Sequence, residues 1–172
     1  MRPSSQSVRS SPPATGCAYV AVGSDGANSI IVDGGANALM TPQSVERAVR
    51  SIASASIVLL QLEIAPSATL AGARMARRNG AVVIVDPAPA GGAALGEILR
   101  EADILTPNAV EALQILNCSG APHSDLELVE IAAALQRLGP RTVILKLGAQ
   151  GCLLFDGGEP RGISAPKVEV VD

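Results

Sequence analysis

Aromatic residues are almost missing from this chain, whose 172 residues include one Tyr, one Phe and no Trp. Platforms that stack nucleobases need several exposed rings, so single-stranded nucleic-acid binding is disfavoured as a function class. The core must be assembled from Ala, Val, Ile and Leu, and the 48% hydrophobic content is enough for one globular domain. Charge of one sign is also lacking. A formal net charge of −3, with both signs interspersed, offers no basic surface to nucleic acid or to a membrane. Cysteine is scarce: Cys17, Cys118 and Cys152 are odd in number and far apart, which suits reduced thiols in the cytoplasm better than a disulfide framework. The single histidine, His123, cannot complete a zinc set with them. No apolar run approaches the roughly 20 residues of a membrane helix, so a soluble protein is expected. Neither a G-x-G-x-x-G fingerprint nor a P-loop follows any expected strand, which argues against a dinucleotide oxidoreductase.

What is present alternates between strand and helix signals. Residues 1–14, rich in Ser and Pro with two arginines and no acid, read as a disordered tail or, less simply, a targeting segment. Gly16 to Val22 and Ser29 to Val32 read as paired strands joined by turn formers, and Asp33 with Gly34-Gly35-Ala36-Asn37 ends the second. Thr41 is expected to cap a helix with Pro42 at its first position and Val45, Val49 and Ile52 on one face. Ile57 to Leu62 reads as a strand covered on both faces, Pro66 to Asn79 as a helix closed by Gly80, and Ala81 to Val85 as the next buried strand, which makes a βαβ unit. A short helix around Leu95 to Arg100 follows. Asp103 to Leu105 is then a strand running through Thr106-Pro107 into a helix with Ala109, Ala112, Leu113 and Leu116 on one face. Ser124, with Glu127 three residues on, has the spacing of a capping box before a helix that shows Leu128, Ile131, Leu135 and Leu138 on one side. Arg141 to Leu147 is a strand, Cys152 to Phe155 and Gly162 to Ser164 an antiparallel pair, and Lys167 to Val171 the start of another strand.

Polar residues collect at successive strand ends. Glu63, Asp86 and Asn108 each leave the carboxyl end of an expected parallel strand, the edge at which open α/β folds bind ligands. Each has a plainer explanation. Glu63 and Asp86 can cap their own loops, and Asn108 with Glu111 has capping-box spacing. The turn Gly148 to Gly151 lets backbone approach a ligand, or merely turns the chain. His123, in a loop with no evident partner, reads as solvent-exposed.

Taken together and in order, the blocks T-P-N-x-x-E at 106–111 and K-L-G-x-x-G at 146–151 resemble the ribokinase family of carbohydrate kinases, also called the PfkB family. T-G-C-A at 15–18, G-G-A-N at 34–37, L-Q-L-E at 60–63 and D-P-A-P-A at 86–90 extend the resemblance over about residues 15 to 172. It implies a three-layer, mostly parallel, Rossmann-like α/β sheet of the ribokinase-like fold, truncated at both ends. It also implies ATP-dependent phosphorylation of a sugar, D-ribose first among the candidates, with Mg2+ and K+ as cofactors and often a homodimer. By the same resemblance Glu63 holds a sugar hydroxyl, Asn108, Lys146, Gly148 and Gly151 meet the nucleotide, and Glu111 organises Mg2+ indirectly. Asp86 would stand behind the metal and phosphates, and Asp172 would open a potassium loop. Lys146 stands where many members have Thr and can act only as a donor. The family's glycine-rich turn with its catalytic aspartate, and its amino-terminal third, find no counterpart. The chain alone is therefore expected to be inactive, the alternative being a non-catalytic nucleotide-binding or partner-interacting remnant.

Overall fold

A computed structural model describes residues 14–23, 28–48, 52–120 and 126–168. Strands β1 (Cys17–Val22) and β2 (Asn28–Asp33) form an antiparallel hairpin that is a sheet of its own, with Cys17 opposite Asp33 and Tyr19 opposite Ile31. After a 3-10 turn at Gly35–Leu39 comes helix α1 (Pro42–Arg47), whose Thr41 Oγ1 accepts from the Ser44 N–H at 3.2 Å as the sequence predicts. Val49, the middle member of its expected face, lies outside the described residues.

The body is a second sheet with strand order β3 (Ile57–Leu60), β4 (Val82–Val85), β5 (Ile104–Leu105), β6 (Thr142–Lys146), β7 (Cys152–Phe155) and β8 (Arg161–Ile163). The first four run parallel, and β7 and β8 continue the sheet antiparallel. The carboxyl-terminal β pair is thus part of the main sheet. Between the strands lie α2 (Pro66–Arg78), α3 (Leu95–Glu101), α4 (Ala109–Ser119) and α5 (Leu128–Gln136). Residues 164–168 carry no regular structure, and the rest of the strand expected over 167–171 lies outside the described residues.

Alternation along the strands decides where the core sits. Val83, Val85, Leu105, Val143 and Leu145 share one face of the sheet. They are buried against Leu70, Ala73 and Ala76 of α2, Ile98 and Leu99 of α3, Ile115 and Leu116 of α4, and Ile131 and Leu135 of α5. Strand β3 departs from expectation. Val58 and Leu60 pack against the core, but Ile57 and Leu59 on the opposite face are 57% and 74% exposed. The strand is therefore covered on one face, because every described helix that packs on the sheet does so on the Val83 side. The two later helices also turn differently from the sequence reading. In α4 the buried residues are Ala112, Ile115 and Leu116, while Ala109 and Leu113 are exposed. Helix α5 starts at Leu128 with Glu127 as its cap and Glu130 completing the capping box, three residues later than the Ser124 start predicted. Ser124 and His123 lie outside the described residues.

Candidate active site

The carboxyl edge of the sheet gathers four of the predicted residues. Asn108 caps α4: its Oδ1 accepts from the Glu111 N–H, and Glu111 Oε2 accepts from the Asn108 N–H, both at 2.8 Å. This reciprocal cap fixes the start of the helix beside the end of β6, where the Lys146 N–H donates to the Pro107 carbonyl at 2.8 Å. Asp86, Thr106 and Lys146 then continue the outward-facing positions of β4, β5 and β6. Lys146 Nζ accordingly reaches across the end of β5 and donates to both Asp86 oxygens, at 2.8 and 3.0 Å, with Glu111 Oε2 3.9 Å away. One ammonium therefore stands between two carboxylates. Glu111 is the most sheltered of the three side chains at 14% exposure, so its interaction is the least screened by water.

The glycines of the following turn do different work. Gly151 has φ +97°, and a Cβ there would run into the Ile163 carbonyl oxygen and lie 2.6 Å from the Ala165 nitrogen. Its bare Cα is needed for the approach of the segment leaving β8, whatever a ligand demands. Gly148 has φ +58° with open space where a Cβ would be, so its backbone is accessible from outside.

Glu63 is not among this group. The Leu62 N–H donates to the Ala88 carbonyl at 3.1 Å and stitches the loop after β3 to the loop after β4. On one side of that stitch lies Asp86, beside a cavity of about 450 Å³ floored by Leu59, Ile84 and Thr106. On the other side lies a cleft of about 650 Å³ between the two loops and the hairpin, which Glu63 lines together with Gly16, Asn37, Gly34 and Asp33. The T-G-C-A and G-G-A-N blocks therefore do border a cleft with Glu63. Asp33 is a cleft carboxylate that sequence reasoning did not single out as a site residue; its position at the end of the hairpin strand beside G-G-A-N was the available signal. Its Oδ1 accepts from the Gly35 N–H at 3.1 Å. The Asp86–Lys146 pair was likewise missed, since nothing local links residues 60 positions apart. Asp172 lies outside the described residues.

This arrangement places a cleft that carries the Glu63 and Asp33 carboxylates beside a charged strand edge. The family described as pfkB family carbohydrate kinase matches residues 4–172. The chain belongs to the pfkB family of carbohydrate kinases. Ribokinase of Staphylococcus aureus is 33% identical over 92% of this chain and 51% of its own length. The Arabidopsis thaliana ribokinase is 36% identical over 92% of the chain and 42% of its own length. Among solved structures, Thermotoga maritima ribokinase superposes with a TM-score of 0.77 at 35% identity, covering 92% of this chain and 50% of that one. Arabidopsis ribokinase complexed with ribose and ATP gives 0.73 at 35%, covering 91% and 51%. This pfkB-family chain thus spans about half the length of the curated relatives it matches. Its α/β sheet is the ribokinase-like fold those structures share.

Proposed function

We propose that this chain forms part of an ATP-dependent sugar kinase, with D-ribose as the sugar acceptor and the nucleotide phosphates lying along the Asn108–Lys146 edge. The observation that carries this is the pairing of two neighbouring sites across one backbone stitch, Glu63 in the hairpin cleft and Asp86, Glu111 and Lys146 beyond it, in a pfkB-family chain. Glu63, exposed and facing the cleft, is positioned to accept from a sugar hydroxyl. Lys146 is the donor available to a phosphate oxygen, and the open backbone at Gly148 allows the nucleotide to approach closely.

Phosphoryl transfer rests on positioning and on neutralising charge at the phosphates. Among the described residues no group of three or more His, Cys, Asp and Glu side chains is placed to hold a metal alone. Asp86 and Glu111 are the carboxylates that would hold a divalent ion carried mainly by the nucleotide. Mg2+ in that place would offset phosphate charge, and K+ is proposed as the second cation. We assign the proton-accepting base to a residue outside the described ones. Asp86 is ion-paired with Lys146, and Glu111 holds the Asn108 N–H. A cytoplasmic location accompanies this proposal, and no described helix is long and apolar enough to cross a membrane.

A second proposal, a non-catalytic binding remnant, draws support from the hairpin, whose apolar side chains are uncovered on both faces. Two measurements separate them. Calorimetric titration of the chain with a non-hydrolysable ATP analogue and Mg2+ is expected to show saturable binding that weakens in Lys146→Met; no binding would end the nucleotide assignment. Ribose-dependent ADP release is expected from the full-length gene product, and is expected to be lost in its Glu63→Ala form. A full-length protein that binds nucleotide but leaves ribose untouched would favour the remnant.

A further inference from the structure

A cavity of about 430 Å³ opens in the helical layer, and neither Glu63 nor any of Asp86, Asn108, Glu111 and Lys146 lines it. Its apolar floor is Leu95 and Leu99 of α3, Ile115 of α4 and Leu138 beyond α5. Two arginines line it, Arg100 from the last turn of α3 and Arg137 at the carboxyl cap of α5. Arg74, Arg77 and Arg161 are ion-paired, but among the described residues Arg100 and Arg137 have no carboxylate partner. Among the described residues, none that lines the cavity is acidic. Each arginine alone is accounted for by the partial negative charge at a helix carboxyl end. That effect does not require both to border one cavity.

Helix α3 adds an independent sign. Gly96 lies four residues before Arg100, on the same side of the helix. Here a Cβ would meet no atom within 4 Å, so packing inside the protein does not demand the glycine. The space left open in front of it belongs to the cavity, which Gly96 lines.

We infer that this cavity binds a small organic phosphate, its oxyanion held by Arg100 and Arg137 and its apolar body seated on Leu95, Leu99, Ile115 and Leu138. Guanidinium forks match phosphate oxygens in pairs, and a cavity of this size falls within the range of small-ligand sites. The site is separate from the sugar cleft and the nucleotide edge, and it stands or falls independently of the kinase proposal.

The test is calorimetric titration of the purified chain with phenyl phosphate at constant ionic strength, with inorganic phosphate and phenol as separate arms. Saturable binding of phenyl phosphate is expected, weaker by roughly tenfold or more in Arg100→Gln and in Arg137→Gln. It is expected to be blocked in Gly96→Phe, which fills the cavity and leaves both arginines in place, and unchanged in Lys146→Met. No saturable binding, or equal binding in the arginine variants and Gly96→Phe, overturns the site. Loss of binding in Lys146→Met would assign the ligand to the strand edge and overturn it as well. Equal affinity for inorganic phosphate would remove the apolar half of the inference.

Discussion

The body and the hairpin use the same aliphatic residues to opposite effect. In the body, alternation along β4, β5 and β6 sends Val83, Val85, Leu105, Val143 and Leu145 to one helix-covered face, where they are almost fully buried. In the hairpin, Tyr19, Val20, Val22, Ile30, Ile31 and Val32 are each more than half exposed, although the strands are longer and perfectly paired. Strands are paired in both regions, but it is the body that buries most of its apolar side chains. A two-stranded ribbon without a covered face is marginally stable on its own. The body therefore carries the stability of this chain, and the hairpin walls the cleft that Glu63 lines without contributing much to that stability.

The strongest way to break that contrast is Leu105→Ala, which leaves a cavity at the centre of the sheet and is expected to lower unfolding free energy by about 2–5 kcal/mol in urea titration. The same truncation in the hairpin, Ile31→Ala, is expected to stay within about 0.5 kcal/mol. Comparable losses at the two positions would mean that the hairpin is part of the cooperative core. Next in size is Gly151→Ala, where positive φ and the collision with the segment after β8 are expected to cost about 1–3 kcal/mol or more. The matching change Gly148→Ala meets open space and suffers the backbone strain alone, so it should be the milder of the two in thermal unfolding. Asn108→Ala removes the α4 cap and is expected to cost about 1 kcal/mol, with weaker binding of the ATP analogue. The smallest effect on stability is expected for Lys146→Met. The Asp86 pair is about two-fifths exposed, and such pairs contribute about 1 kcal/mol or less. Nucleotide affinity should nevertheless fall. If Lys146→Met destabilised the fold as much as Leu105→Ala while leaving affinity intact, Lys146 would be a structural residue only.

Much of the fold was legible because local chemistry and tertiary packing agreed. Thr41 caps α1, Asn108 and Glu111 close a capping box, and α2 ends at Arg78 just before Gly80. The helix faces were less legible. Helix α4 has apolar residues on several sides, so spacing alone allowed a face through Ala109 and Leu113; packing against α5 and β6 selected Ile115 instead. The start of α5 was expected at Ser124 with Glu127 three residues on, whereas Glu127 and Glu130 close the capping box. The candidate site divides in the same way. Glu63, Asp86 and Asn108 were readable as strand-end residues, but which of them share a site was not.

By itself the sequence determined the order of strands and helices, the caps of α1 and α4 and the residues carried to the edge of the sheet, because each depends on periodicity or on contacts within a few positions. Only the tertiary structure decided that β3 is covered on one face and that the β7–β8 pair joins the main sheet. It alone brought Lys146 to Asp86 across β5 while leaving Glu63 in a separate cleft. These facts depend on which strands lie side by side, and pairings between residues far apart in the chain leave no mark on either one's local sequence.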